Sequence, residues 1–333
     1  YVTYPSGHRN TLEVACRRAV LTGVNQTGAK LQEARMDEMG ASFVEVTAHG
    51  GARPSHAVWQ GRRYHRGGAV DYLGQHYEDF ESATGYGTGA GLCGWNCRHT
   101  FFVVFPELSS PPAWTQESLE QLNARNIEYE GRLYTRYEIS QMQRARERAV
   151  RKYKRRYLAE DAAGADTTAS AVKLRAARVE LADFVSRTAG RVDSARTSVH
   201  GFGRSEASRA SYAARKQERF NAANTELQQM REAGTIKAKG RLIESPSAPN
   251  EINFASDHVL QRWAERGMGP MDAERIIRSS KVAMSQRNGT QTCYYSELGF
   301  VAIGQDGNVS SIGPLDEGGK KLMEVVKKHG IPH

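Results

Sequence analysis

The sequence predicts an α+β protein in three parts. A small N-terminal α+β domain is followed by long central helices, folded as a helical hairpin or stalk. A small C-terminal α+β domain with a four-stranded antiparallel sheet closes the chain. Three observations carry this. Residues 49–100 are dense in Gly, Trp, His and Cys and show few helical periods. From about residue 115 apolar residues recur at helical spacing over long runs. After about residue 250, short helical segments give way to strand-like ones joined at Asn288-Gly289 and Asp306-Gly307, both strong hairpin signals. The expected boundaries are 1–112, 113–239, a linker at 240–253, and 254–333.

Each element has its own reason. Residues 10–40 read as a helix, with apolar spacing from Leu12, Ala15, Ala19, Val24 and Leu31 and a natural stop at Gly40. Phe43–Thr47 and Phe101–Phe105 read as strands, the second ended by Pro106. Residues 115–158 and 170–189 read as two helices. Met142, Ala149, Val150, Tyr153 and Tyr157 share a face of the first, and Leu174, Ala177, Leu181, Phe184 and Val185 a face of the second. The Ala- and Asp-rich 159–170 makes the turn between them. A third helix covers 206–233, with Gly234 as its stop. Residues 240–250, with two prolines, read as linker. Helices at 257–265 and 270–279, strands at 282–286, 290–295, 298–304 and 308–312, and a helix at 317–329 complete the chain. A unit of about 80 residues is small but able to fold alone.

Composition narrows the function classes. The chain has 333 residues, of which 39% are hydrophobic, with a mean hydropathy of −0.61. That suits globular ends joined by polar helices better than one compact globule. No run approaches the ~18 apolar residues of a membrane span. Four cysteines, Cys16, Cys93, Cys97 and Cys293, do not make a disulfide framework. The net charge of +9 points to a polyanion or to a solvated basic helix. The chain begins at Tyr1 rather than Met and shows no signal peptide, which leaves room for a trimmed upstream segment.

Three constellations could carry chemistry. In the first, His49, His56, Cys93, Cys97 and His99 are residue types that zinc prefers, and a tetrahedral site needs four of them. Cys93 and Cys97 have tolerable spacing, but His49 and His56 are wider apart than finger patterns allow. The competing reading is a Gly- and aromatic-rich loop packed around Trp59 and Trp95, with the thiols as small buried apolar groups and Arg98 bonding backbone carbonyls. No cofactor other than zinc is suggested. In the second, Arg144, Arg148, Arg151, Lys152, Arg155 and Arg156 form a basic stripe opposite the Tyr153/Tyr157 face. Such a stripe contacts phosphates without reading sequence, or is simply a solvated face.

In the third, His258, Arg262 and Arg266 recur every four residues on one helix face. A His beside two Arg suits metal-free RNA cleavage, with His moving the proton and Arg stabilising the phosphorane. Tyr294, Tyr295, Ser310 and Ser311 are the sheet residues expected at the same site. The competing reading has His258 packed and the arginines paired with nearby carboxylates.

The first constellation lies in Ala52-Arg53-Pro54-Ser55-His56-Ala57-Val58-Trp59-Gln60-Gly61 and Gly91-Leu92-Cys93-Gly94-Trp95-Asn96-Cys97-Arg98-His99. These segments resemble the signature of the phage minor capsid protein 2 family, relatives of the Mu F-type head morphogenesis proteins. In particular Arg53, Pro54, Trp59, Gly61, Gly94, Trp95 and Arg98 match. The resemblance covers about 1–110 well and the helices more loosely. It implies a virion component inside the phage head near the portal, present in few copies. Its partners would be portal and capsid proteins and packaged DNA, with no membrane and with room for an oligomer. The segment at 256–268 is similar to the start of the barnase–EndoU–colicin–RelE-like toxin domains carried by such head proteins. That implies catalytic roles for His258, Arg262, Arg266, Tyr295 and Ser311, with host RNA or tRNA as target and an immunity protein as partner. Two rivals remain open. One is a purely structural capsid protein with an inactive C-terminal binding module. The other is a free bacterial toxin with a phage-derived delivery domain.

Overall fold

The computed structural model describes residues 1–333 except 109, 248, 250, 251, 255, 256 and 333; at 257–259 and 262 it describes backbone only. The expected α+β class holds. The chain divides into two compact units, Tyr1–Glu147 with Leu181–Val192, and Arg148–Glu180 with Asp193–His333.

In the first unit a short antiparallel pair, Val2–Thr3 with Arg9–Asn10, precedes helix α1, Leu12–Met39, which Gly40 ends at φ 58°. Only Ala29 and Met36 of α1 are buried, while Val20, Val24 and Leu31 are exposed. Three strands follow, β1 (Phe43–Val46), β2 (Arg63–His65) and β3 (Phe101–Val104), with β1 central and antiparallel to both neighbours. Ala29 and Met36 pack on Val44, Val46, Trp59, Tyr64, Phe80, Leu92 and Phe101 as one core. A buried ion pair braces the sheet. Glu45, 1% exposed, accepts from Arg63 Nε at 2.8 Å and from the Ala113 N–H at 2.7 Å.

The expected single helix over 115–158 is interrupted. Helix α2 spans Gln116–Asn123, a hairpin pairs Ile127–Tyr129 with Arg132–Tyr134, and helix α3 spans Arg136–Ala162. The cause is the Glu130-Gly131 turn, whose φ values of 49° and 74° are both left-handed. Two such residues match the twist of flanking strands, and a Glu in the first position hides the signal. Helix α4 covers Thr168–Arg187. Residues 136–147 of α3 and 181–187 of α4 belong to the first unit, and their remainders to the second. In the first unit Tyr129, Ile139 and Phe184 form a small core, with the Arg146 guanidinium 4.2 Å over the Phe184 ring.

The second unit contains helix α5 (Arg204–Glu232) and a five-stranded antiparallel sheet. Its strands lie in chain order: β4 (Arg241–Glu244), β5 (Val282–Gln286), β6 (Gln291–Ser296), β7 (Gly299–Gly304) and β8 (Val309–Gly313). Helices α6 (Asp257–Glu265) and α7 (Pro270–Ser279) precede β5, and α8 (Glu317–Lys328) follows β8. Alternation along the strands separates two cores. Val282, Met284, Cys293, Tyr295 and Ala302 join Phe220, Ala223 and Leu227 of α5 and Leu322, Val325 and Val326 of α8. Ala283, Tyr294, Val301, Ile303 and Ile312 join Trp263 of α6 and Ala273, Ile276 and Ile277 of α7. The sheet is therefore sandwiched between helices.

The fifth strand corrects the expectation of four. β4 comes from the segment read as linker, and within the strand only Leu242 and Ile243 are apolar, between Arg241 and Glu244. Its order comes from tertiary partners. Leu242 pairs with Met284, and Asn224 of α5 clamps the Leu242 backbone, accepting its N–H at 2.7 Å and donating to its carbonyl at 2.9 Å.

Candidate functional site

The β1–β3 ladder brings a buried polar cluster together. Val46 pairs with Phe101, and Thr47 Oγ1 continues the pairing to the Thr100 backbone at 3.0 and 3.1 Å. The residues just beyond, His49 and His99, therefore lie side by side, with ring centroids 4.3 Å apart. The short helix Pro54–Ala57 starts with proline in its first turn, where a missing N–H costs nothing. It delivers His56 beside them, with ring centroids 5.5 Å from His99. Cys97 Sγ closes the group, 3.7 Å from His56 Nδ1 and 3.5 Å from His99 Nδ1. His56, Cys97 and His99 are all buried.

Hydrogen bonding fixes both tautomers. His56 Nε2 faces the Ala90 carbonyl oxygen at 2.9 Å, which can only accept, so Nε2 carries the proton. For His99 the constraint runs through Gln60, which is fully buried. The His49 backbone N–H reaches Gln60 Oε1 at 3.1 Å, and an N–H can only donate. Asn123 Nδ2 donates to the Leu119 carbonyl at 3.0 Å, leaving Asn123 Oδ1 to accept from Gln60 Nε2 at 3.4 Å. Gln60 Oε1 therefore accepts from His99 Nε2 at 2.9 Å. Both imidazoles keep a bare Nδ1 aimed at one sulfur. Burial pushes the His99 pKa down to about 3, helped by His49, His56 and Arg53. Burial also lowers His56, so both rings are neutral at pH 7. It pushes the thiols up, Cys93 to about 12.

The Gly-rich loop is shaped by close approach. A Cβ on Gly91 would sit 1.9 Å from the Gly85 carbonyl oxygen, and one on Gly94 2.5 Å from that of Gly89. Gly61, at φ 69°, leaves space for Leu119. Trp59 is core, 5% exposed, and its carbonyl accepts from the Tyr64 hydroxyl at 3.0 Å. Trp95 is not core. The residue is 63% exposed and its ring lies over Gly89, because the loop turns outward through left-handed Cys93 and Asn96. Arg98 is exposed as well, and the carbonyl-binding arginine is Arg53, which donates to Trp95 O at 2.6 Å.

The basic stripe is narrower than the sequence suggests. Arg148, Lys152 and Arg156 are exposed, whereas Arg144, Arg151 and Arg155 are half-buried. Arg151 donates to the Arg196 carbonyl and Arg156 pairs with Glu160 at 2.7 Å.

The family model described as phage minor capsid protein 2 matches residues 1–186. The chain belongs to the phage minor capsid protein 2 family. The match spans the whole His/Cys cluster, α3 and nearly all of α4. Membership implies association with other phage head proteins and a place in the virion. No curated protein and no solved structure matches the chain. Among the described residues no helix is long and apolar enough to cross a membrane.

The C-terminal constellation of this minor capsid protein lies beyond the match. The side chains of His258 and Arg262 lie outside the described residues. Arg266 is exposed and donates to the Ile312 carbonyl at 2.6 Å. The expectation that Tyr295 and Ser311 reach the same site is corrected by strand alternation. Tyr295 belongs to the core under α5 and α8, and Ser311 pairs with Ala302 of that same face. α6 packs on the opposite face through Trp263. Tyr294 does face α6 and α7, but it is buried in their core.

Proposed function

We propose that this minor capsid protein is a structural component of the phage head, seated beside the portal, with α3 facing packaged DNA. The family match across both signature segments supports this most. The exposed row of Arg148, Lys152 and Arg156 supports contact with a phosphate backbone. The C-terminal sheet then acts as a binding or structural module within the head. Tyr295 and Ser311 lie on the sheet face opposite the one that α6 covers, and that favours the module over a toxin. Purified particles should contain the chain and yield crosslinks to the portal protein by mass spectrometry. Particles lacking it, made in a host that expresses it, would overturn the reading. RNA cleavage by the full chain, lost in His258→Ala, would restore the nuclease assignment.

A further inference from the structure

We propose that His56 Nδ1, Cys97 Sγ and His99 Nδ1 are three ligands of a structural zinc-class metal ion buried in the signature domain. The proposal concerns how this domain is held together and does not depend on where the chain sits in a virion.

The geometry is that of a coordination shell. Zn–S bonds of ~2.3 Å and Zn–N bonds of ~2.05 Å at tetrahedral angles separate sulfur from nitrogen by ~3.6 Å. The two sulfur–nitrogen distances, 3.5 and 3.7 Å, bracket that value. The outer hydrogen bonds match as well. Metal-bound imidazoles characteristically donate their second N–H to a carbonyl or carboxylate, which fixes the tautomer. Here the Ala90 carbonyl and the Gln60 amide oxygen perform that task for the two rings.

Protein atoms alone fit this arrangement poorly. Two imidazole lone pairs converge on Cys97, whose thiol has a single proton to donate. That proton is also drawn toward the His99 carbonyl, 3.8 Å from the sulfur. One buried lone pair is left facing sulfur with no donor. A cation replacing the thiol proton satisfies both rings and the thiolate together. Donors for a fourth corner lie nearby, outside the group of three whose ligand atoms are all within 4.8 Å of one another. Cys93 Sγ lies 3.5 Å from the same His99 carbonyl, and His49 Nε2 is buried with no hydrogen-bond partner among the described residues. One thiolate and two imidazoles, all buried, with a fourth protein donor drawn from Cys93 or His49, suit zinc and give it a structural role, not a catalytic one.

The test uses full-length protein purified under reducing conditions from zinc-supplemented cells. Elemental analysis should find about one equivalent of zinc per chain, and removing it with a chelator should lower the melting temperature, with zinc restoring it. Cobalt exchanged into the site should show tetrahedral visible bands and a thiolate charge-transfer band. Cys97→Ser should weaken that band and reduce metal affinity by ~100-fold, while Cys293→Ser, at a buried thiol of the C-terminal sheet, should leave both unchanged. Gln60→Ala keeps every ligand and removes only an outer hydrogen bond, so it should weaken binding by roughly 10- to 100-fold. A folded wild-type protein that carries no metal and gives no cobalt spectrum would overturn the proposal. So would Cys97→Ser and His56→Gln variants that bind metal as tightly as wild type.

Discussion

Arg53 holds Trp95 by its backbone and not by its ring: the guanidinium donates to the Trp95 carbonyl at 2.6 Å, while the residue as a whole is 63% exposed. This bond joins the Pro54–Ala57 helix to the Gly-rich loop across 42 residues of sequence. Removing the Trp95 ring should therefore be mild. Trp95→Ala should destabilise by under about 1 kcal/mol in a denaturant melt, in the range of surface changes. Trp59→Ala, at a 5% exposed core position, should cost about 3–5 kcal/mol. Equal losses for the two variants would contradict this division of labour.

Gly91→Ala should disrupt the same loop. Its Cβ would meet the backbone of Gly85, which cannot turn aside as a flexible side chain can. A loss of about 3 kcal/mol or more is expected, at the upper end of overpacking costs. Gly67→Ala offers a contrast in cause. Nothing lies near its Cβ, and only its φ of 94° opposes the change, so the cost should be smaller.

Glu45→Ala should leave Arg63 with an uncompensated buried charge and the Ala113 N–H without its acceptor. Removing one partner of a buried pair costs about 3–5 kcal/mol. The double variant Glu45→Leu with Arg63→Met should recover much of it. A double variant as unstable as the single one would mean that the Ala113 bond dominates.

Nucleic-acid binding by the full chain should be sequence-independent and salt-sensitive. Each neutralised phosphate contributes about −0.9 to the slope of log affinity against log salt. Changing Arg148, Lys152 and Arg156 together to Gln should reduce the slope by between about two and three. A smaller reduction would follow if the Glu160 partner of Arg156 keeps that side chain from DNA. An unchanged slope would show that the stripe is a solvated face.

The sequence revealed more of the fold than of the candidate site, for a local reason. Periodicity and hairpin glycines place α1, α4, α5 and every helix and strand from α6 to α8 within a residue or two of the expected bounds. These signals act over a few residues. β4 carries only two apolar side chains, and its order depends on Asn224 and Met284, which lie far away in sequence. At the site, residue types pointed to five donors, but only three meet. Which three depends on the β1–β3 register, and no spacing rule encodes that. Gln60 was visible only as part of a signature. Its role follows from the His49 N–H that orients its amide. The outward turn at Cys93 and Asn96 was likewise hidden, since neither residue announces a left-handed backbone, so Trp95 read as core.

The two-sided covering of the C-terminal sheet has a consequence for synthesis. α5 is available early, but Leu322, Val325 and Val326, which complete the core beneath Val282, Met284 and Tyr295, come from the last helix. Until those residues leave the ribosome, a nascent chain displays a half-covered apolar sheet with β8 as an open edge. Ribosome pausing or a premature stop before residue 317 would thus release an aggregation-prone product. Chaperone engagement would be expected until α8 is translated, after the His/Cys domain has had the sequence it needs to fold.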